Sequence, residues 1–123
     1  MTDKQIEEKE LLLKDLCARL LYNVQGVTSE GVISPLIVKG EADWDILTSL
    51  NYRIVKHGWK PYLRPMSSMT VKERFEYNGF DGYIFSDEDV IIKIDWLNKH
   101  HFDYRGLIDK GLAIEAPENM YTL

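Results

Sequence analysis

The stretch Asp43-Trp44-Asp45-Ile46-Leu47-Thr48-Ser49-Leu50-Asn51-Tyr52-Arg53-Ile54-Val55-Lys56 decides what kind of fold this chain can adopt. Two periods run through it. Trp44, Ile46 and Thr48 alternate with their neighbours, and Tyr52, Ile54 and Lys56 continue the alternation beyond Asn51, as two half-buried strands would. Trp44, Leu47, Leu50 and Ile54 also fall near the spacing of one helix face, and Gly58 is placed to stop such a helix. The β-branched and aromatic content, with a break at Asn51, favours two strands. On that reading residues 22–64 form a small antiparallel sheet, curled in the manner of an SH3-like barrel and closed on one side by an N-terminal helix.

That helix is the plainest element on the N-terminal side. Thr2 and Gln5 have the spacing of a capping box, in which hydroxyl and amide each satisfy an otherwise unpaired backbone N–H. Ile6, Leu12, Leu13, Leu16, Cys17, Leu20 and Leu21 gather on one broad face, and the helix is expected to end near Leu20. Glu10 with Lys14, and Asp15 with Arg19, read as favourable pairs on the wet side. Tyr22 and Val24 then alternate as a strand does, Thr28-Ser29-Glu30-Gly31 reads as a turn, and Val32 to Lys39 resumes strand composition around Pro35. Proline cannot donate to a ladder, so this strand belongs at an edge or carries a bulge.

On the C-terminal side Pro61 and Pro65 bracket Tyr62-Leu63-Arg64 and are expected to end the sheet. Thr70 with Glu73 is a second capping box, opening a helix to about Tyr77 that Asn78-Gly79 terminates. Tyr83-Ile84-Phe85 reads as a strand, Lys93 to His101 as a helix, Phe102-Asp103-Tyr104 as a connector, and Arg105 to Lys110 as one helical turn closed by Gly111. Glu115-Ala116-Pro117-Glu118 is expected to run extended over the surface. The sum is an α+β chain of one domain, residues 1–123, with helix plus sheet over 1–66 and a mostly helical 67–123 packed on the sheet.

Composition narrows the function. With 20 acidic and 15 basic residues the formal charge is −5, which argues against direct nucleic-acid binding, because a phosphate-tracking surface needs a surplus of Lys and Arg. The lone Cys17 rules out an intramolecular disulfide and a multi-cysteine metal site, and within an apolar stripe it reads as an inert small hydrophobe. The N-terminus is charged where a secretory signal would be apolar, and runs such as Leu11 to Leu13 fall short of a bilayer span. Cytoplasmic residence, with no membrane, is the expectation.

Few side chains invite chemistry. The six serines include none in a G-x-S-x-G elbow, and the glycines form neither a Walker loop nor G-x-G-x-x-G. Asp43 with Asp45, and Asp87-Glu88-Asp89, read as solvated rims. His100 and His101 are adjacent, so regular helix points them about 100° apart and they cannot share one metal. Their simpler reading is as caps on a helix C-terminus. The run His57-Gly58-Trp59-Lys60-Pro61-Tyr62-Leu63-Arg64-Pro65-Met66 mixes aromatics with cations; Trp59, Lys60, Tyr62 and Arg64 are its candidate interaction patch, against a packing role in which only Lys60 and Arg64 reach solvent. Arg105 is expected to pair with Asp103 or Asp109.

Leu11-Leu12-Leu13-Lys14-Asp15-Leu16-Cys17-Ala18-Arg19-Leu20, Lys60-Pro61-Tyr62-Leu63-Arg64-Pro65-Met66-Ser67-Ser68-Met69-Thr70 and Asp95-Trp96-Leu97-Asn98-Lys99-His100-His101-Phe102-Asp103-Tyr104-Arg105-Gly106-Leu107-Ile108 resemble, in that order, a family of uncharacterised small bacterial and prophage-associated proteins. Gly111-Leu112-Ala113-Ile114-Glu115-Ala116-Pro117-Glu118 is similar as well. The likeness fades between Asn23 and Lys56, and Leu21-Tyr22-Asn23-Val24 stands where a Pro-Tyr-Gly-Val turn is expected. The resemblance implies a mobile-element setting and no established activity, hence no catalytic residue, metal or cofactor. The expected role is a non-enzymatic accessory or interaction module of a mobile element that binds another protein or a nucleic-acid-associated complex. The rival is a small metal-dependent hydrolase or nuclease using His100, His101 and Asp103, with His57 as a further candidate.

Overall fold

The computed structural model describes residues 2–20, 22–36, 46–81 and 87–121. Helix α1 spans Asp3–Cys17 and opens on the expected capping box: Thr2 Oγ1 accepts from the Gln5 N–H at 3.2 Å, and Gln5 Oε1 accepts from the Thr2 N–H at 2.9 Å. It stops short of Leu20 because the chain tightens, with the Ala18 and Arg19 N–H groups donating to the Asp15 and Leu16 carbonyls. Cys17 is exposed, outside the apolar stripe assigned to it. Asp15 and Arg19 are fully buried rather than on the wet side, for reasons that lie in the C-terminal third.

Strand β1 (Gln25–Val27) pairs antiparallel with β2 (Ile33–Pro35), Gly26 opposite Ser34. The strand expected from Tyr22 begins only at Gln25, since Asn23 takes a left-handed conformation (φ 46°). The turn at 28–31 forms, with the Gly31 N–H donating to the Thr28 carbonyl, and β2 with its proline is an edge strand of the sheet.

The deciding stretch is helical. Helix α2 covers Ile46–His57, and Gly58 (φ 63°) ends it, so the two expected strands and the SH3-like barrel built on them are replaced by one helix. A tertiary contact settles the choice: the Arg53 guanidinium donates to the Pro35 and Leu36 carbonyls at 2.8 and 2.6 Å, while Leu50 is fully buried. Helical spacing delivers both groups to the end of β2; alternation would not.

Strand β3 (Lys60–Pro65) corrects a second expectation, because its prolines do not end the sheet but lie within its central strand. It runs antiparallel to β1 and parallel to β4 (Phe102–Asp103) and β5 (Ile114–Glu115), giving a mixed five-stranded sheet. Residues between the prolines keep the ladder: the Arg64 N–H donates to the His101 carbonyl and the Leu63 carbonyl accepts from the Ala116 N–H, each at 2.8 Å. Trp59 is fully buried against Gly26, where an added Cβ would lie 2.1 Å from the indole. Around it lie Leu12, Leu16, Val24, Leu36, Leu50, Leu63, Leu107 and Ala113.

After a 3-10 turn at Met66–Ser68, helix α3 spans Val71–Asp81 and runs through Asn78-Gly79 instead of stopping there. Helix α4 spans Asp87–Lys99, six residues earlier at its start than Lys93. Tyr83-Ile84-Phe85 and Asp43 with Asp45 lie outside the described residues. The turn ending at Gly111 (φ 75°) forms as expected, and the tail is tied to β3 as β5. The class is α+β, with four helices and the mixed sheet among the described residues. No helix among these residues is long and apolar enough to cross a membrane.

Candidate functional site

The aromatic–cationic run does not present the patch its composition suggests. Trp59 is core, its Nε1 donating to Ser34 Oγ at 3.1 Å, with Arg53 5.4 Å from its ring centroid. Tyr62 and Arg64 are half-buried, and Lys60 alone of the four is exposed. Packing against β1 and the core claims the indole, because nothing smaller fills the space over Gly26.

Arg64 instead organises an inward clamp on α3. Its guanidinium binds Glu73 through two parallel bonds, Nη1 to Oε2 at 2.7 Å and Nη2 to Oε1 at 2.6 Å, and lies 4.2 Å from the Phe102 ring centroid. Glu73 Oε1 also accepts the Thr70 N–H at 2.9 Å, and Thr70 Oγ1 the Glu73 N–H at 3.1 Å, so the second capping box and the clamp share one carboxylate. The Arg64 bonds hold the Glu73 carboxyl at about 2. His100 Nδ1 lies 3.3 Å from Glu73 Oε2; burial lowers the pKa of this imidazole, and the Glu73 and Glu76 charges oppose that shift. Its ring stands 4.3 Å from Trp96, whose Nε1 donates to Glu76 at 3.2 Å. Arg64, Glu73, Glu76 and His100 line a cleft of about 670 Å³ between the start of α3 and the C-terminal tail.

The other cluster members turn elsewhere. His101 ends α4 through its left-handed backbone (φ 64°), not through its side chain, which stacks on Tyr121 at 3.7 Å. Burial lowers its pKa to about 4. The Tyr121 hydroxyl donates to the Tyr62 carbonyl at 2.7 Å and accepts the Gln25 N–H at 2.9 Å, and burial raises its pKa to about 12. Asp103 is a backbone cap, accepting the Leu107 and Ile108 N–H groups at 2.8 and 2.9 Å. Arg105 pairs with neither Asp103 nor Asp109 but with Asp15 Oδ1 at 3.1 Å. Asp15 is also bound by Arg19 at 2.7 Å, and Arg19 reaches the Phe102 carbonyl at 2.7 Å; this network ties α1 to β4. His57 sits near Glu30, 3.9 Å away, at the far end of β3. Among the described residues no three His, Cys, Asp or Glu side chains gather as metal ligands. The side chains the hydrolytic alternative needs in one cleft are thus engaged with three separate neighbours.

Holding Glu73 inward exposes the opposite face of α3. Val71 is 89% exposed and Phe75 82%, and with Met69, Arg74 and Asn78 they line a shallow groove of about 510 Å³. Beyond it, the first turns of α4 expose Val90, Ile91, Ile92 and Ile94. Sequence reasoning passes over Val71 and Phe75, although one signal was available. Once Thr70 and Glu73 set the start of the helix, Val71 and Phe75 share a face and Glu73 and Tyr77 share the other. Compared with protein-family models, curated proteins and solved structures, the chain matches none.

Proposed function

We propose that this chain is a non-enzymatic interaction module that engages another protein through the outer face of α3. The observation that carries the reading is the exposure of Val71 and Phe75 together, beside Met69 and Arg74, on a helix whose polar face is already bound to the sheet. Isolated surface hydrophobes need no explanation, but an exposed aromatic in a groove with an aliphatic neighbour and an arginine has the composition of an interface anchor. The accessory role in a phage or other mobile element is the setting that the sequence resemblance implies.

The test is position-specific photocrosslinking. A benzophenone side chain placed at position 75 of the full chain, expressed in its host, is expected to give a discrete polypeptide adduct. The same group at Lys110, an exposed turn position, is the control. Adducts of equal yield at both positions, or none at position 75, overturn the reading.

A further inference from the structure

The charges that flank the exposed apolar stripe of α3 point to the chemistry of a partner. Of its glutamates, Glu73 is held inward by Arg64, while Glu76 is exposed and accepts the Trp96 Nε1–H at 3.2 Å. Its two cations are exposed, Lys72 toward the cleft and Arg74 in the groove beside Phe75, and neither side chain makes a hydrogen bond or ion pair among the described residues. At about 100° per residue, Val71 and Phe75 share a stripe, and Lys72 and Arg74 stand about 80° to either side of its centre. The outer face is therefore an apolar stripe with a positive charge on both flanks, on a chain whose formal charge is −5.

We infer that this face binds an acidic amphipathic helix, one whose apolar stripe seats on Val71 and Phe75 and whose flanking carboxylates meet Lys72 and Arg74. The inference rests on the interaction reading above and adds the chemistry of the partner. Helix-in-groove recognition uses anchors at the spacing of a helix face, which an apolar stripe one helix wide accommodates. Flanking charges set partner choice and orientation, as they do at the edges of a coiled-coil seam. A second copy of this chain using the same face fits worse. A two-fold interface opposes each patch to itself, so the cations Lys72 and Arg74 would face cations, with Glu73 held inward and Glu76 bonded to Trp96.

The experiment selects from a displayed library of amphipathic helical peptides with a constant apolar stripe, whose flanking positions vary among acidic, basic and neutral residues, against the immobilised full chain. The expected winners carry Asp or Glu on both flanks, lose about tenfold in affinity against either Lys72→Glu or Arg74→Glu, and weaken as salt is raised. Phe75→Ala is expected to cost about tenfold or more while leaving the far-ultraviolet dichroism spectrum and Tm unchanged. Winners with neutral or basic flanks that still depend on Phe75 overturn the acidic partner and leave the interaction reading standing. Binding indifferent to both Phe75→Ala and Val71→Ala overturns both. Self-association abolished by Phe75→Ala, seen by sedimentation equilibrium, replaces the acidic helix with a second copy. Phe75-dependent sedimentation with phosphatidylserine vesicles replaces it with a membrane surface.

Discussion

Replacing Arg64 by methionine keeps most of the aliphatic stem and removes the fork that holds α3 to the sheet. The side chains of Arg64 and Glu73 are 16% and 12% exposed, so Arg64→Met strands a largely enclosed carboxylate. Leaving one member of a buried pair uncompensated costs about 3–5 kcal/mol, and the open mouth of the cleft lets water recover part of that. The expected loss is about 2–3 kcal/mol, or about 8–12 °C in Tm for a domain of this size. Arg64→Lys retains the charge but not the two parallel bonds, and should fall between the variant and the parent. Glu73→Gln added to Arg64→Met should cost less than the sum of the single changes, because no charge is left to strand. Urea and thermal unfolding at neutral pH measure the losses, and a carboxyl-carbon NMR titration follows Glu73. In the parent this carboxyl titrates at about 2, below its ordinary 4.5; its stabilisation is present above 4.5 and is lost as pH falls toward 2. In Arg64→Met the titration should move to 4.5 or above. A loss under about 1 kcal/mol, or a Glu73 that still titrates near 2 without Arg64, refutes the clamp.

Asp15→Ala leaves the fully buried Arg19 without its carboxylate and should cost about 3–5 kcal/mol by urea unfolding, the largest effect of any single charge removal here. Gly26→Ala drives a methyl group to 2.1 Å from a fully buried indole, so a loss of at least about 3 kcal/mol and a shifted tryptophan emission are expected. His101 is held neutral, its pKa lowered from 6.5 to about 4. The unfolded chain therefore takes up a proton that the folded chain refuses, and stability present above 6.5 is lost as pH falls toward 4, by up to about 3 kcal/mol. His101→Asn tolerates the left-handed backbone and should flatten the pH–stability curve across that window.

The α+β class and the positions of the two capping boxes were legible because they depend on neighbours within four residues. Thr2 with Gln5 and Thr70 with Glu73 formed as their spacing required. So did the turn before β2 and the left-handed stop at Gly111. What misled was local composition standing in for tertiary context. The 46–57 segment carried both periods, and propensity favoured the strand; the bonds from Arg53 to Pro35 and Leu36 favour the helix. Pro61 and Pro65 looked like ends, yet a strand tolerates proline where its neighbours supply the bonds. The cation–aromatic run allowed a patch as well as a packing role, and the burial of Trp59 over Gly26 fits the packing role.

By itself the sequence determined where α1 and α3 begin, through their capping boxes, and where Gly111 supplies a left-handed stop. Tertiary structure alone decided which charges are spent inward and which face outward. Arg64 and Glu73 are nine residues apart, and Asp15 and Arg105 ninety. Whether such a pair meets depends on how β3, α3 and the C-terminal segment cross, and no local period encodes that crossing. The exposed stripe of Val71 and Phe75 is a consequence of the same geometry, since it lies opposite Glu73, which Arg64 holds against β3.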